Sequence, residues 1–164
     1  VKRGQALIDS WNSTESEPLR CEVMHLDLDS LDSVRAFASA FLAKGEPLHC
    51  LLNNAGVFDV VPFEKMGHKA WSKMIDVNLT GAYYVTQESL GALEEGERPV
   101  VINVASGAAK QGFPGNTAYC ASKYGLKGFG DADKPERKIN IEDALSQFGL
   151  GIHEDAFSEL VEEL

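Results

Sequence analysis

Apolar residues recur along this chain with two periods, and the alternation between them predicts the elements. Residues 4–11, GQALIDSW, read as a short helix, and the polar stretch 12–18, NSTESEP, as a turn. Residues 21–28, CEVMHLDL, read as a strand ending in Asp27 and Leu28. Ser30 then caps a helix through about Ala43, with Leu31, Val34, Phe37, Ala38 and Phe41 at helical spacing, and Gly45 and Pro47 stop it. The short apolar run 48–52, LHCLL, predicts a buried parallel strand that delivers Asn53-Asn54-Ala55-Gly56. A long helical pattern over 67–93 contains Trp71, Met74, Ile75, Leu79, Tyr83 and Leu90. Residues 99–105, PVVINVA, read as another buried strand, followed by a loop from Gly107 to Gly115 and a helix from about Asn116. Gly128, Gly130 and Pro135 are expected to break that helix.

Alternation of apolar strands with helices predicts an α/β fold around a parallel sheet. Composition shifts near Asp131: from there to Leu164 ten acidic residues face three basic ones. We therefore expect a partial α/β domain at 1–130 and an unassigned, acidic, helical tail at 131–164, with one capped helix over 141–148 and an amphipathic one carrying Phe157, Leu160, Val161 and Leu164.

Charge and composition narrow the possible functions. A chain of 164 residues that is 44% hydrophobic and 24% charged can build a core. Its formal net charge of −10 excludes the basic face that nucleic-acid binding needs, and argues against docking on anionic membranes. No apolar run reaches membrane-spanning length and no signal peptide is evident, so a cytoplasmic location is expected. Cys21, Cys50 and Cys120 are odd in number and widely spaced, which suits reduced thiols, with Cys21 and Cys50 expected to be buried in their apolar runs. His25, His49, His68 and His153 lack ligand spacing, and Asp27, Asp29 and Asp32 lack the glycine of a calcium loop, so no metal is expected. Trp11 and Trp71 are read as core residues.

Four features carry chemistry. Tyr119 and Lys123, four apart on the last helix, share one face. A phenol titrates too high for proton exchange at neutral pH, and a neighbouring ammonium favours phenolate; bringing it to neutrality takes about 4 kcal/mol of differential interaction. The same spacing also occurs in ordinary surface pairs. Ser106 directly follows the strand VVINVA, at the carboxyl end of a parallel strand where open α/β sheets bind ligands, although a helix cap or loop serine reads the same way. Asn53-Asn54-Ala55-Gly56 offers small residues past which a flat ring can approach the backbone, or simply a tight turn. Asn78, in IDVNLTG, is a poor helix former at mid-helix: it bends the helix, exposes a carbonyl that holds water, or is a tolerated exposed residue.

Together these residues, with Asp27-Leu28 and YCASK at 119–123, resemble the short-chain dehydrogenase/reductase family over roughly Val1 to Phe129. The resemblance implies a partial Rossmann-like, doubly wound parallel sheet retaining strands three to five of the family fold. It implies an NAD- or NADP-dependent oxidoreductase that interconverts a small-molecule alcohol and a carbonyl. In that reading Tyr119 is the general acid/base and Lys123 assists it while binding the nicotinamide ribose. Ser106 holds the substrate oxygen, and Asn78 holds a relay water. Asp27 and Leu28 lie toward the adenine, and Asn53, Asn54, Ala55 and Gly56 line the adenosine side. The helices at 67–93 and 116–130 are implied to pair two copies into a homo-oligomer.

The pattern also departs from the family. No TGxxxGxG or GxGxxG occurs to receive a pyrophosphate, and Val1-Lys2-Arg3-Gly4 reads as the end of the family's second strand. The family's strand order is 3-2-1-4-5-6. Strand three is therefore expected to lack its usual neighbour and strand four to expose an edge. The alternative expectation is a catalytically inactive remnant, or an interaction module of the same ancestry.

Overall fold

The computed structural model describes residues 1–14, 21–132 and the backbone of 138–140. The element order is α1 (Lys2–Thr14), α2 (Leu31–Leu42), β1 (Cys50–Asn53), a short 3-10 turn (Phe63–Lys65), α3 (His68–Ile75), a π-helical turn (Asp76–Thr80), α4 (Gly81–Glu88), α5 (Leu90–Glu95), β2 (Val100–Asn103), a 3-10 turn (Gly107–Ala109), α6 (Thr117–Ala132) and β3 (Lys138–Asn140). The three strands form one parallel sheet in the order β1-β2-β3. The expected helical tail segments at 141–148 and around Phe157 lie outside the described residues.

The expected α/β architecture with a parallel sheet is present. β1 and β2 pair in register from Cys50 opposite Val100 to Asn53 opposite Asn103. The register is locked by side chains at its last rung, where Asn53 Nδ2 donates to Asn103 Oδ1 (2.9 Å) and to Thr86 Oγ1 of α4 (3.1 Å). A buried amide left without such partners would cost about 1–3 kcal/mol, so the three side chains specify one alignment. The core includes the packing of α6 on β2 and buried side chains of α4 and α5: Val85, Leu93, Val101, Ile102, Ala118 and Leu126 are buried. Ser30 caps α2 as expected, accepting from Ser33 N at 3.3 Å, and Gly45 follows the helix in the left-handed region at φ 66°.

Several expectations are corrected. Residues 21–28 form no ladder. A strand needs a neighbour to satisfy its backbone groups, and among the described residues none pairs with the outer edge of β1. The segment is instead fastened by side chains: Val23 lies against Gly4, Leu28 against Gly81, and Asp27 N bonds Ser33 Oγ at 2.9 Å. Cys21 and Cys50 are exposed because this edge is uncovered; Cys120, on α6, is the buried thiol. Trp11 and Trp71 are exposed too, as α1 buries no residue at all and Trp71 sits on the outer side of α3. The predicted turn at 12–18 begins later than expected, since α1 runs to Thr14. The long helix at 67–93 is divided by the π turn and again at Ser89. The last helix passes Gly128 and Gly130 and ends at Ala132, and β3 follows beyond the composition shift at Asp131.

Candidate active site

The site lies at the carboxyl ends of β1 and β2, where parallel sheets open toward ligands. A cleft of about 530 Å³ is lined there by Asn54, Gly56, Val57, Phe58, Val104, Ala105, Ser106, Gly107, Tyr119 and Lys123. β2 delivers Ser106 and α6 delivers Tyr119 and Lys123, so the three residues singled out for acid/base chemistry face one space.

Lys123 is 4% exposed and donates from Nζ to Val104 O at 2.8 Å. Its ammonium sits 5.8 Å from the centroid of the Tyr119 ring. Burial pushes the Lys123 ammonium down from its ordinary value. Ser106 reconciles its two readings: its Oγ accepts from Ala108 N at 3.1 Å, capping a 3-10 turn, while the residue lines the cleft. That bond uses a lone pair and not the hydroxyl proton.

Asn78 is buried in the π turn and is not a tolerated surface residue. Its Oδ1 accepts from Val57 N at 2.7 Å, and its Nδ2 donates to Val57 O at 2.9 Å and to Ser122 Oγ at 3.1 Å. Ser122 in turn donates to Tyr119 O at 2.7 Å. A π turn inserts one extra residue into the helical ladder. Here Asn78 lies in that turn and meets loop and α6 together. A Cβ on Gly56 would stand 3.2 Å from Asn78 Oδ1 and 3.7 Å from Lys123 Nζ, so the loop backbone closes on the lysine.

Not every expected residue joins the cleft. Asn53 serves the β1–β2 lock, and Ala55 is exposed outside the lining set. Asp27 and Leu28 do not line it either: Asp27 Oδ1 accepts from Asp29 N at 3.1 Å in the turn before α2. Conversely, Ser122, Val57 and Phe58 belong to the site without having been singled out. Ser122 lies three residues after Tyr119, on the same helical face, and Phe58 follows Gly56 by two. Among the described residues, no helix is long and apolar enough to cross a membrane.

The family model described as short chain dehydrogenase matches residues 2–140. The chain belongs to this family. A dehydrogenase/reductase SDR family member, FEY, from Arabidopsis thaliana is 37% identical over 116 residues, covering 69% of this chain and 31% of that protein. A 3-oxoacyl-[acyl-carrier-protein] reductase, FabG, from Chlamydia pneumoniae is 31% identical over 128 residues, covering 78% and 50%. The crystal structure of a metagenomic short-chain oxidoreductase in complex with NADP superposes with a TM-score of 0.77 at 29% identity, over 87% of this chain and 66% of that one. The short-chain dehydrogenase chain thus spans about a third to two thirds of these relatives. The family match extends to β3, past the stretch over which the motifs alone carry the resemblance.

Proposed function

We propose that this chain carries the catalytic cleft of an NAD- or NADP-dependent oxidoreductase that interconverts a small-molecule alcohol and a carbonyl. The observation that carries the reading is the convergence of Ser106, Tyr119 and the buried Lys123 on one cleft. The nicotinamide end of a cofactor fits the residues present, because the Gly56 backbone closes on Lys123 and Ala105 and Gly107 leave the wall flat. When bound, the nicotinamide supplies the hydride to the carbonyl carbon, or accepts it from the alcohol.

In reduction, the Tyr119 hydroxyl gives its proton to the carbonyl oxygen as the hydride reaches the carbon; oxidation reverses both transfers. Ser106 donates its free hydroxyl proton to the same oxygen and steadies the charge that develops there. Lys123 presents its remaining donors to the ribose side while Val104 O holds it in place. Asn78 keeps Val57 and Ser122 in position and gives the helix the irregular backbone on which a relay water depends. Asn54 and Gly56 border the adenosine side, with Asp27 and Leu28 farther toward the adenine.

A second reading has its own support. Trp71, Tyr83 and Tyr124 are exposed on α3, α4 and α6, and Tyr83 meets Phe129 edge-on at 6.0 Å. These helices suit pairing with a second copy, with or without catalysis.

The test is a titration with NADPH and NADH followed by nicotinamide fluorescence, coupled to turnover of a carbonyl panel. Saturable binding, with turnover that falls about 10²–10⁴-fold in Tyr119→Phe while binding persists, is the expected result. Absence of binding at millimolar cofactor contradicts the oxidoreductase reading and favours the pairing module.

A further inference from the structure

The loop after Gly56 has a feature that neither the fold nor the acid/base residues require. It is held at both ends. Asn78 grips Val57 through its N–H and its carbonyl, and Val61 N donates to Gly115 O at 2.8 Å. Gly115 takes φ 77°, and a Cβ there would stand 3.0 Å from Val60 Cγ1, so the loop at 110–115 lies directly against this segment. Between the two clamps, Phe58 is 59% exposed and Val60 57% exposed. Phe58 lines the cleft and meets the Tyr119 ring edge-on, with centroids 4.8 Å apart and planes at 83°.

A phenyl ring kept more than half in water on a fixed segment contributes little to folding. Placed beside the reacting phenol, it is a wall for something else. Charge narrows what that something is. Among the described residues lining the cleft, Lys123 is the one charged group, and its ammonium already holds Val104 O. Asp59, between Phe58 and Val60 in sequence, is exposed and does not line the cleft. Among the described lining residues a carboxylate or phosphate on the substrate finds no arginine to pair with, and Lys123 is already engaged with Val104 O.

We infer that Phe58 is a specificity-determining residue, and that the cleft takes an uncharged alcohol or carbonyl whose reacting carbon bears an apolar group, best an aryl ring. The aryl ring packs on Phe58 and toward Val60 while the oxygen reaches Ser106 and Tyr119. Aromatic pairs add to simple area burial, which favours aryl over branched alkyl groups. The inference rests on the oxidoreductase reading of the same cleft.

The full chain is assayed with NADPH on acetophenone, hydroxyacetone and glyoxylate, and saturation-transfer NMR with 1-phenylethanol reads binding without turnover. Acetophenone is expected to exceed hydroxyacetone in kcat/KM by about 100-fold, with glyoxylate lowest. Phe58→Ala should lower the ratio of the acetophenone to the hydroxyacetone value roughly ten-fold. Phe58→Leu should fall between, and the melting temperature should hold in both variants because the ring is exposed. A preference for glyoxylate, or an aryl preference unchanged in Phe58→Ala, overturns the inference while Tyr119-dependent turnover keeps the reaction standing. Saturation transfer to 1-phenylethanol that is lost in Phe58→Ala, without turnover of any carbonyl, upholds the wall and removes the reaction.

Discussion

Two regions of the molecule are held together by different means. Around β2, α4 and α6, buried and half-buried polar side chains bind one another and the backbone: Asn53 to the side chains of Asn103 and Thr86, Asn78 to the Val57 backbone and the Ser122 hydroxyl, Lys123 to the Val104 carbonyl. Each group is satisfied, so each tolerates one geometry. Around α1, residues 21–28 and the outer edge of β1, the fasteners are few and wet. α1 buries no residue, Leu7 is 67% exposed, and the ion pair of Lys44 with Glu22 is largely at the surface. Exposed pairs contribute about 0–1 kcal/mol. The cleft borders only the first region. The geometry of the proposed acid/base residues is therefore specified mainly by contacts among β1, β2, the π turn and α6.

This contrast can be broken most severely at Ser106. On the proposed role of Ser106 as a donor to the substrate oxygen, Ser106→Ala should lower kcat about 10²–10³-fold with little change in cofactor binding, measured by steady-state kinetics beside fluorescence titration. Asn78→Ala comes next. It strands Val57 N–H and Val57 O and removes a donor from Ser122, and denaturant melts should show a loss of about 3 kcal/mol together with lost turnover. A third change concerns pH. Because burial lowers the folded-state value of Lys123, the unfolded chain binds more protons between that value and the ordinary lysine range. Stability should therefore rise with pH through this alkaline window as the penalty of a buried ammonium is relieved. Lys123→Met should flatten that rise in urea melts compared at stepped pH. The smallest effect is expected at α1, where Trp11→Ala should move stability by less than about 0.5 kcal/mol. A loss as large as that of Asn78→Ala would show that the two regions are not held differently after all.

What could be read from the letters follows the same division. Local patterns were legible where local contacts decide the outcome. The period of 48–52 and 99–105 marked two paired strands, of which only β2 is buried, Ser30 marked a helix start, and the 119–123 spacing placed phenol and ammonium on one helical face. Residues 21–28 carry strand letters but form no ladder, because a strand is decided by its neighbour and not by its own composition. Trp11, Trp71, Cys21 and Cys50 look like core residues by type and are exposed for a similar reason: burial depends on what covers an element. Asn78 could be flagged as unusual in a helix, but its role as a clamp between Val57 and Ser122 joins residues 21 and 44 positions away, which no local period encodes. Phe58 carried no motif, and only its edge-on contact with Tyr119 sets it apart.

The central claim is that one cleft gathers Ser106, Tyr119 and Lys123 against the loop at 54–58 and receives the nicotinamide there. Backbone amide chemical shifts recorded during an NADPH titration of the full chain test it directly. The account predicts that the largest shifts fall at residues 54–58, 104–107 and 119–123. Saturable shifts confined to other parts of the chain, with these three stretches unmoved, would contradict it.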